Sequence, residues 1–130
     1  AEEKNVGILV RVPEASGILT GKVNADTKID EKDHRSVRKG EWIKASLEKV
    51  ELLRPIAERN GLSITELAMK FIMTKKGFAS VFPTMISEEE IINYAEMTDG
   101  KYISTSDMKE IDELYNTWPS YELKATPQAN

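Results

Sequence analysis

Two kinds of hydrophobic run alternate along this chain. The first is "NVGILVRVP", where Ile8, Leu9, Val10 and Val12 are nearly continuous and mostly β-branched. It predicts a short strand over residues 6–13, of the type a parallel sheet covers on both faces, closed by Pro13. "FASVFP" predicts a second strand over 78–83, closed by Pro83. Elsewhere the apolar positions recur at three and four. Ile43, Leu47, Val50, Leu53 and Ala57 form one stripe, with Asn60-Gly61 as the stop. Pro55 lies inside that stripe and is expected to kink or split the helix, since an interior proline costs about 3 kcal/mol. "SITELAMKFIMTKKG" opens on a Ser63/Glu66 capping box and ends on Lys75, Lys76 and Gly77. Leu67, Ala68, Phe71 and Ile72 are expected to be deeply buried. Ser87 with Glu90 predicts a further box and a helix to about Met97. Asp99-Gly100 is a turn, and Ser104 or Ser106 caps a last helix ending near Asn116. Helices are thus expected over 41–76 and 88–117.

The resulting order is strand, long loop, two helices, strand, helix, helix. Two parallel strands joined by a helical crossover make a right-handed unit. They make a poor sheet by themselves, because both edges stay open. The fold class is α/β, dominated by helix. The loop, residues 14–40, exceeds the length usual for a connection without structure of its own. Its start, "RVPEASGILTGKV", is small, polar and rich in backbone donors, the chemistry of a loop that approaches a ligand closely. Residues 119–130 read as a polar tail.

Composition narrows the field. A chain of 130 residues points to one domain, and a net charge of −4 argues against a partner bound by neutralising phosphates, so no nucleic acid is expected. There is no cysteine, hence no disulfide framework and no thiolate metal site. The apolar runs are far shorter than the roughly 20 residues a membrane span needs. "AEEKN" is unlike a signal peptide, and a start without Met leads us to expect a processed chain or one cut from something longer. His34 lacks the partners a metal or catalytic role requires, so it is expected to pair with Asp33 or to anchor the loop to the rest of the fold. The charges of "KIDEKDHRSVRKGEWIK" nearly balance and predict a solvated loop, the sharper alternative being that Arg35 or Arg38 reaches a phosphate. Glu88, Glu89 and Glu90 complement a helix dipole. Trp42, Met69, Met73 and Met85 are assigned to packing, and Tyr115 and Trp118 to covering one end of the fold.

From Val6 to Trp118 the chain resembles the aldo-keto reductase family. The resemblance rests on "RVPEASGILTGK", "KDHRSVRKGEW", "LEKVELLRPIAERNGLSITELAMKFIM", "ASVFPTMISEEEI" and "MKEIDELY", in the order of the last part of that family's chain. It implies the C-terminal segment of an eight-stranded parallel β/α (TIM) barrel of roughly 300 residues. The two strands would be the seventh and eighth, which accounts for their missing neighbours. The chain looks most like the bacterial and archaeal members, and that resemblance implies a cytoplasmic protein.

The resemblance also implies a site. In the family the loop after the seventh strand folds over the pyrophosphate of a nicotinamide dinucleotide. The matching positions are Pro13, Ser16, Gly17, Leu19, Thr20 and Lys22. Glu14 replaces the usual Leu, so its carboxylate either points away or weakens the site. After the eighth strand, Thr84, Ser87 and a helix start would hold the adenosine end, with Asn93 and Tyr94 near the adenine. Ile86 stands where Arg is usual, and three glutamates follow, so the choice between NADP and NAD is left open. The family's catalytic Asp, Tyr, Lys and His belong to the first half of the barrel, and no catalytic residue is carried over. The expected function is the cofactor-side portion of an NAD(P)-dependent enzyme that reduces a small carbonyl when full length. The chain by itself is expected to be inactive, with weak or absent cofactor binding. Its expected partners are the remainder of the barrel or a second copy. The alternative is an inactive, stand-alone helical remnant that self-associates.

Overall fold

The computed structural model describes residues 1–37 and 40–118. Strand β1 (Ile8–Arg11) is followed by short 3₁₀ turns at Ile18–Thr20 and His34–Val37. Then come α1 (Gly40–Arg59), α2 (Ile64–Thr74), β2 (Phe78–Phe82), α3 (Glu88–Glu96) and α4 (Thr105–Thr117). The strands pair in parallel, with Leu9 opposite Ser80, Val10 opposite Val81 and Arg11 opposite Phe82. Gly7 permits their close start, since a Cβ there would stand 3.0 Å from that of Ala79. Both strands are shorter than the apolar runs predict, because pairing stops where the chain turns away after Arg11 and Phe82. The long loop contains the two 3₁₀ turns.

The core lies among the helices. Ile56, Ala57, Val50, Leu67, Ile64, Ile103 and Ile111 are buried together, joined by Ile18 from the first loop turn. The sheet departs from expectation. Leu9 is 60% exposed and Phe82 54%, with Val6 and Val12 also exposed. Each strand has one neighbour among the described residues, so only one edge and part of one face find cover.

Helix ends follow the sequence closely. Ser63 and Glu66 form the complete capping box of α2. Ser87 accepts from the Glu90 N–H, but the Glu90 carboxylate caps Ile86 N–H, one residue earlier than a box requires. Ser104, not Ser106, caps α4. Pro55 does not split the helix: α1 continues through it from Gly40 to Arg59. Pro55 and Glu51, whose carbonyl loses its N–H partner, are both exposed, so the gap in the hydrogen-bond ladder faces solvent. Burial on α2 also shifts. Leu67 is buried, but Ala68, Phe71 and Ile72 are half-buried, and Met69 and Lys70 turn inward instead. Met85 is exposed and does not belong to the core.

Candidate functional site

After β1 the backbone enters the left-handed region at Val12 (φ 53°) and again at Ala15, Ser16 and Gly17 (51°, 61° and 91°). A β-branched residue there is strained, and strain of this kind gathers where a loop is held for a purpose. Side chains pin the loop. Thr20 Oγ1 donates to the Gly17 carbonyl at 2.6 Å, and Thr65 of α2 donates to the Leu19 carbonyl at 2.8 Å. Arg35 Nη1 reaches back to the Ser16 carbonyl at 3.1 Å.

This loop is one wall of a cleft of about 1050 Å³. The start of α2 and the segment from Thr84 through α3 supply the others. Of the residues expected at the site, Ser16, Gly17, Thr20, Lys22, Thr84 and Asn93 line the cleft. Pro13, Leu19 and Ser87 are not among its lining residues. Pro13 is buried, Leu19 packs on the helical core, and Ser87 is occupied as the α3 cap.

The charged groups are largely matched to one another. Lys22 Nζ lies 2.9 Å from Glu90 Oε1, while Glu90 Oε2 accepts from Ile86 N–H at 2.8 Å. The Ile86 N–H and then Lys22 hold the Glu90 carboxyl below its usual range. The same contact holds Lys22 above its own. Arg35 grips Asp33 through Nε (3.0 Å) and Nη2 (2.7 Å), which lowers the Asp33 carboxyl to about 2. Arg35 therefore lines the cleft as half of an ion pair. Arg38, its alternative, lies outside the described residues, as does the tail at 119–130. His34 is exposed, 3.5 Å from the Asp33 carboxylate.

Glu14 neither turns out to solvent nor stands alone. It is buried in the cleft wall, where Tyr94 Oη donates to Glu14 Oε1 at 2.7 Å. Burial first, and this bond second, push the Tyr94 phenol up. The pair joins residues 80 positions apart and leaves no local signal in the sequence. Lys70 is a second group that periodicity missed. Its buried ammonium meets the Asp99 carboxylate at 2.5 Å and the Lys101 carbonyl at 3.1 Å, tying α2 to the chain between α3 and α4. Among the described residues no cluster of His, Asp or Glu is placed to hold a metal, and no helix is long and apolar enough to cross a membrane.

The profile of the Aldo/keto reductase family matches residues 1–116. The chain belongs to the aldo/keto reductase family. It is 24% identical over 118 residues to L-glyceraldehyde 3-phosphate reductase of Escherichia coli O157:H7, covering 86% of this chain and 34% of that protein. A probable voltage-gated potassium channel subunit beta of Oryza sativa subsp. japonica is 27% identical over 99 residues, 72% of this chain and 30% of its own. A glycerol dehydrogenase from Gluconobacter oxydans superposes with a TM-score of 0.80 at 20% identity, over 99% of this chain and 40% of that one. The chain thus spans about a third of the length of the curated relatives it matches, and it shares the fold of part of an aldo/keto reductase. The cleft's donors suit the hydroxyl- and amide-bearing parts of the nicotinamide dinucleotide with which the family works. Thr84 and Asn93 present such groups to the cleft.

Proposed function

We propose that this chain is the cofactor-side portion of an aldo/keto reductase barrel, its strands the seventh and eighth of eight. Ser16, Gly17, Thr20, Lys22, Thr84 and Asn93 contact a nicotinamide dinucleotide, and Pro13, Leu19 and Ser87 set the loop and helix that carry them. The observation that carries this reading is the convergence of both expected segments, residues 16–22 and 84–93, on one cleft. The exposed apolar strands support the barrel assignment, since they are the surfaces the other strands would cover. When bound, the dinucleotide supplies the hydride that reduces a carbonyl. This chain's own residues would hold and orient it; no proton donor is assigned among them.

A calorimetric titration with NAD tests the reading. The expected result is binding weaker than micromolar, since only one side of the grip is present, and further weakening in Lys22→Met. Absence of heat at millimolar ligand would contradict the reading, and micromolar affinity would contradict the half-grip. The pure chain is expected to show no carbonyl reduction with NADH or NADPH, and measurable turnover would place a proton donor within it.

A further inference from the structure

Four features of the cleft attract an anion, and the chain fills each with its own carboxylate. Two are helix N-termini. Those of α2 and α3 both open on the cleft, and such termini bind anions through backbone N–H groups and the helix dipole. At α2 the Glu66 carboxylate takes the Ser63 N–H at 2.7 Å. At α3 the Glu90 carboxylate takes the Ile86 N–H at 2.8 Å. The other two features are Lys22 and Arg35, paired with Glu90 and Asp33. Glu90 alone therefore engages two of the four.

The lining adds to this bias. Glu14, Asp33, Glu66, Glu90 and Glu96 contribute five carboxylates to the cleft, against three permanent cations from Arg11, Lys22 and Arg35. The buried Glu14 carboxylate, steadied by Tyr94, is an acceptor suited to hydroxyl or amide donors and repels a further anion.

Resting on the proposed function above, we infer that Glu90 biases this cleft against a nicotinamide dinucleotide whose ribose carries an extra phosphate monoester and toward the form without it. The pyrophosphate is common to both ligands and cancels in the ratio of affinities. The monoester adds about 1.5 to 2 negative charges at neutral pH, and these meet a cleft whose cations and helix starts are already engaged. To bind, it must compete with Glu90 for Lys22 and the Ile86 N–H.

The test is a pair of NMR titrations of the labelled chain, one with NAD and one with NADP, each carried to millimolar ligand. The wild type is expected to favour NAD on the order of tenfold, the scale of one unrelieved like-charge contact. Glu90→Gln keeps an acceptor for Ile86 N–H while removing the charge and freeing Lys22, so both ligands are expected to bind more tightly, NADP by more than NAD, and the preference to fall several-fold. Raising the salt concentration on the wild type is expected to shrink the preference too, because the repulsion is screened. Equal affinity, tighter binding of NADP, or a preference that Glu90→Gln leaves unmoved overturns the inference while the proposed function stands. If neither ligand shifts a resonance, both fall together.

Discussion

The cleft depends on a few positions where backbone shape and charge are set together. Gly17 is one. Its φ of 91° suits glycine, and a Cβ there would stand 3.2 Å from Arg35 Nη1. Gly17→Ala is therefore expected to destabilise by about 1 to 2 kcal/mol, the cost of forcing an alanine left-handed, and to push Arg35 off the Ser16 carbonyl. Urea denaturation and the Arg35 side-chain resonances check this; unchanged stability with Arg35 in place would contradict it. Asp33 is another. Its folded value of about 2 lies below the ordinary 3.8. A depressed carboxyl adds stability that is fully present above the unfolded value and disappears as pH falls through the folded one. The Asp33–Arg35 clasp is thus expected to survive at pH 3.8 and open toward pH 2, followed by the Asp33 carboxyl shift. A midpoint at the ordinary value would show that the pair does not hold in solution. These residues were unequally legible. Gly17 and Thr20 announced a ligand-facing loop by composition, whereas the Glu14–Tyr94 contact is made only by folding and carries no periodic or motif signal.

Among the elements, capping residues read most reliably, because a cap is local: Ser63, Ser87 and Ser104 each start the helix expected of them. Burial read less well, because an apolar residue is covered only if a neighbour is present. Phe71 and Ile72 belong to a sound helical stripe yet are half-buried, and the strands expose side chains their pattern assigns to an interior. Pro55 shows the same point in reverse. The local rule predicts a break, but the solvent-facing position lets α1 tolerate the lost bond. Pro55→Ala should therefore restore a hydrogen bond in a helix that is already continuous through this position. The expected gain is about 1 to 3 kcal/mol, bounded by the interior-proline cost. Thermal unfolding measures it, and a loss of stability would mean that the proline supports a bend the helix needs.

At the scale of the whole molecule, two parallel strands sit beside a helical core without the sheet that would make them central. The sequence shows this tension as interior strands with too few partners, and the proposed barrel would resolve it by supplying the rest. In the proposed assembly the exposed faces of Leu9 and Phe82 meet the remaining barrel. Isolated, the same faces are expected to draw copies of the chain together, and sedimentation as a well-folded monomer would contradict that. The central claim remains that the loop after β1 and the segment after β2 form one binding wall. Its most direct test is a residue-by-residue map of amide shifts on adding millimolar NAD. The account predicts changes concentrated in 12–22 and 84–94, with the helical core around Ile56 undisturbed. Shifts scattered over the helices, or confined to one of those two segments, would contradict it.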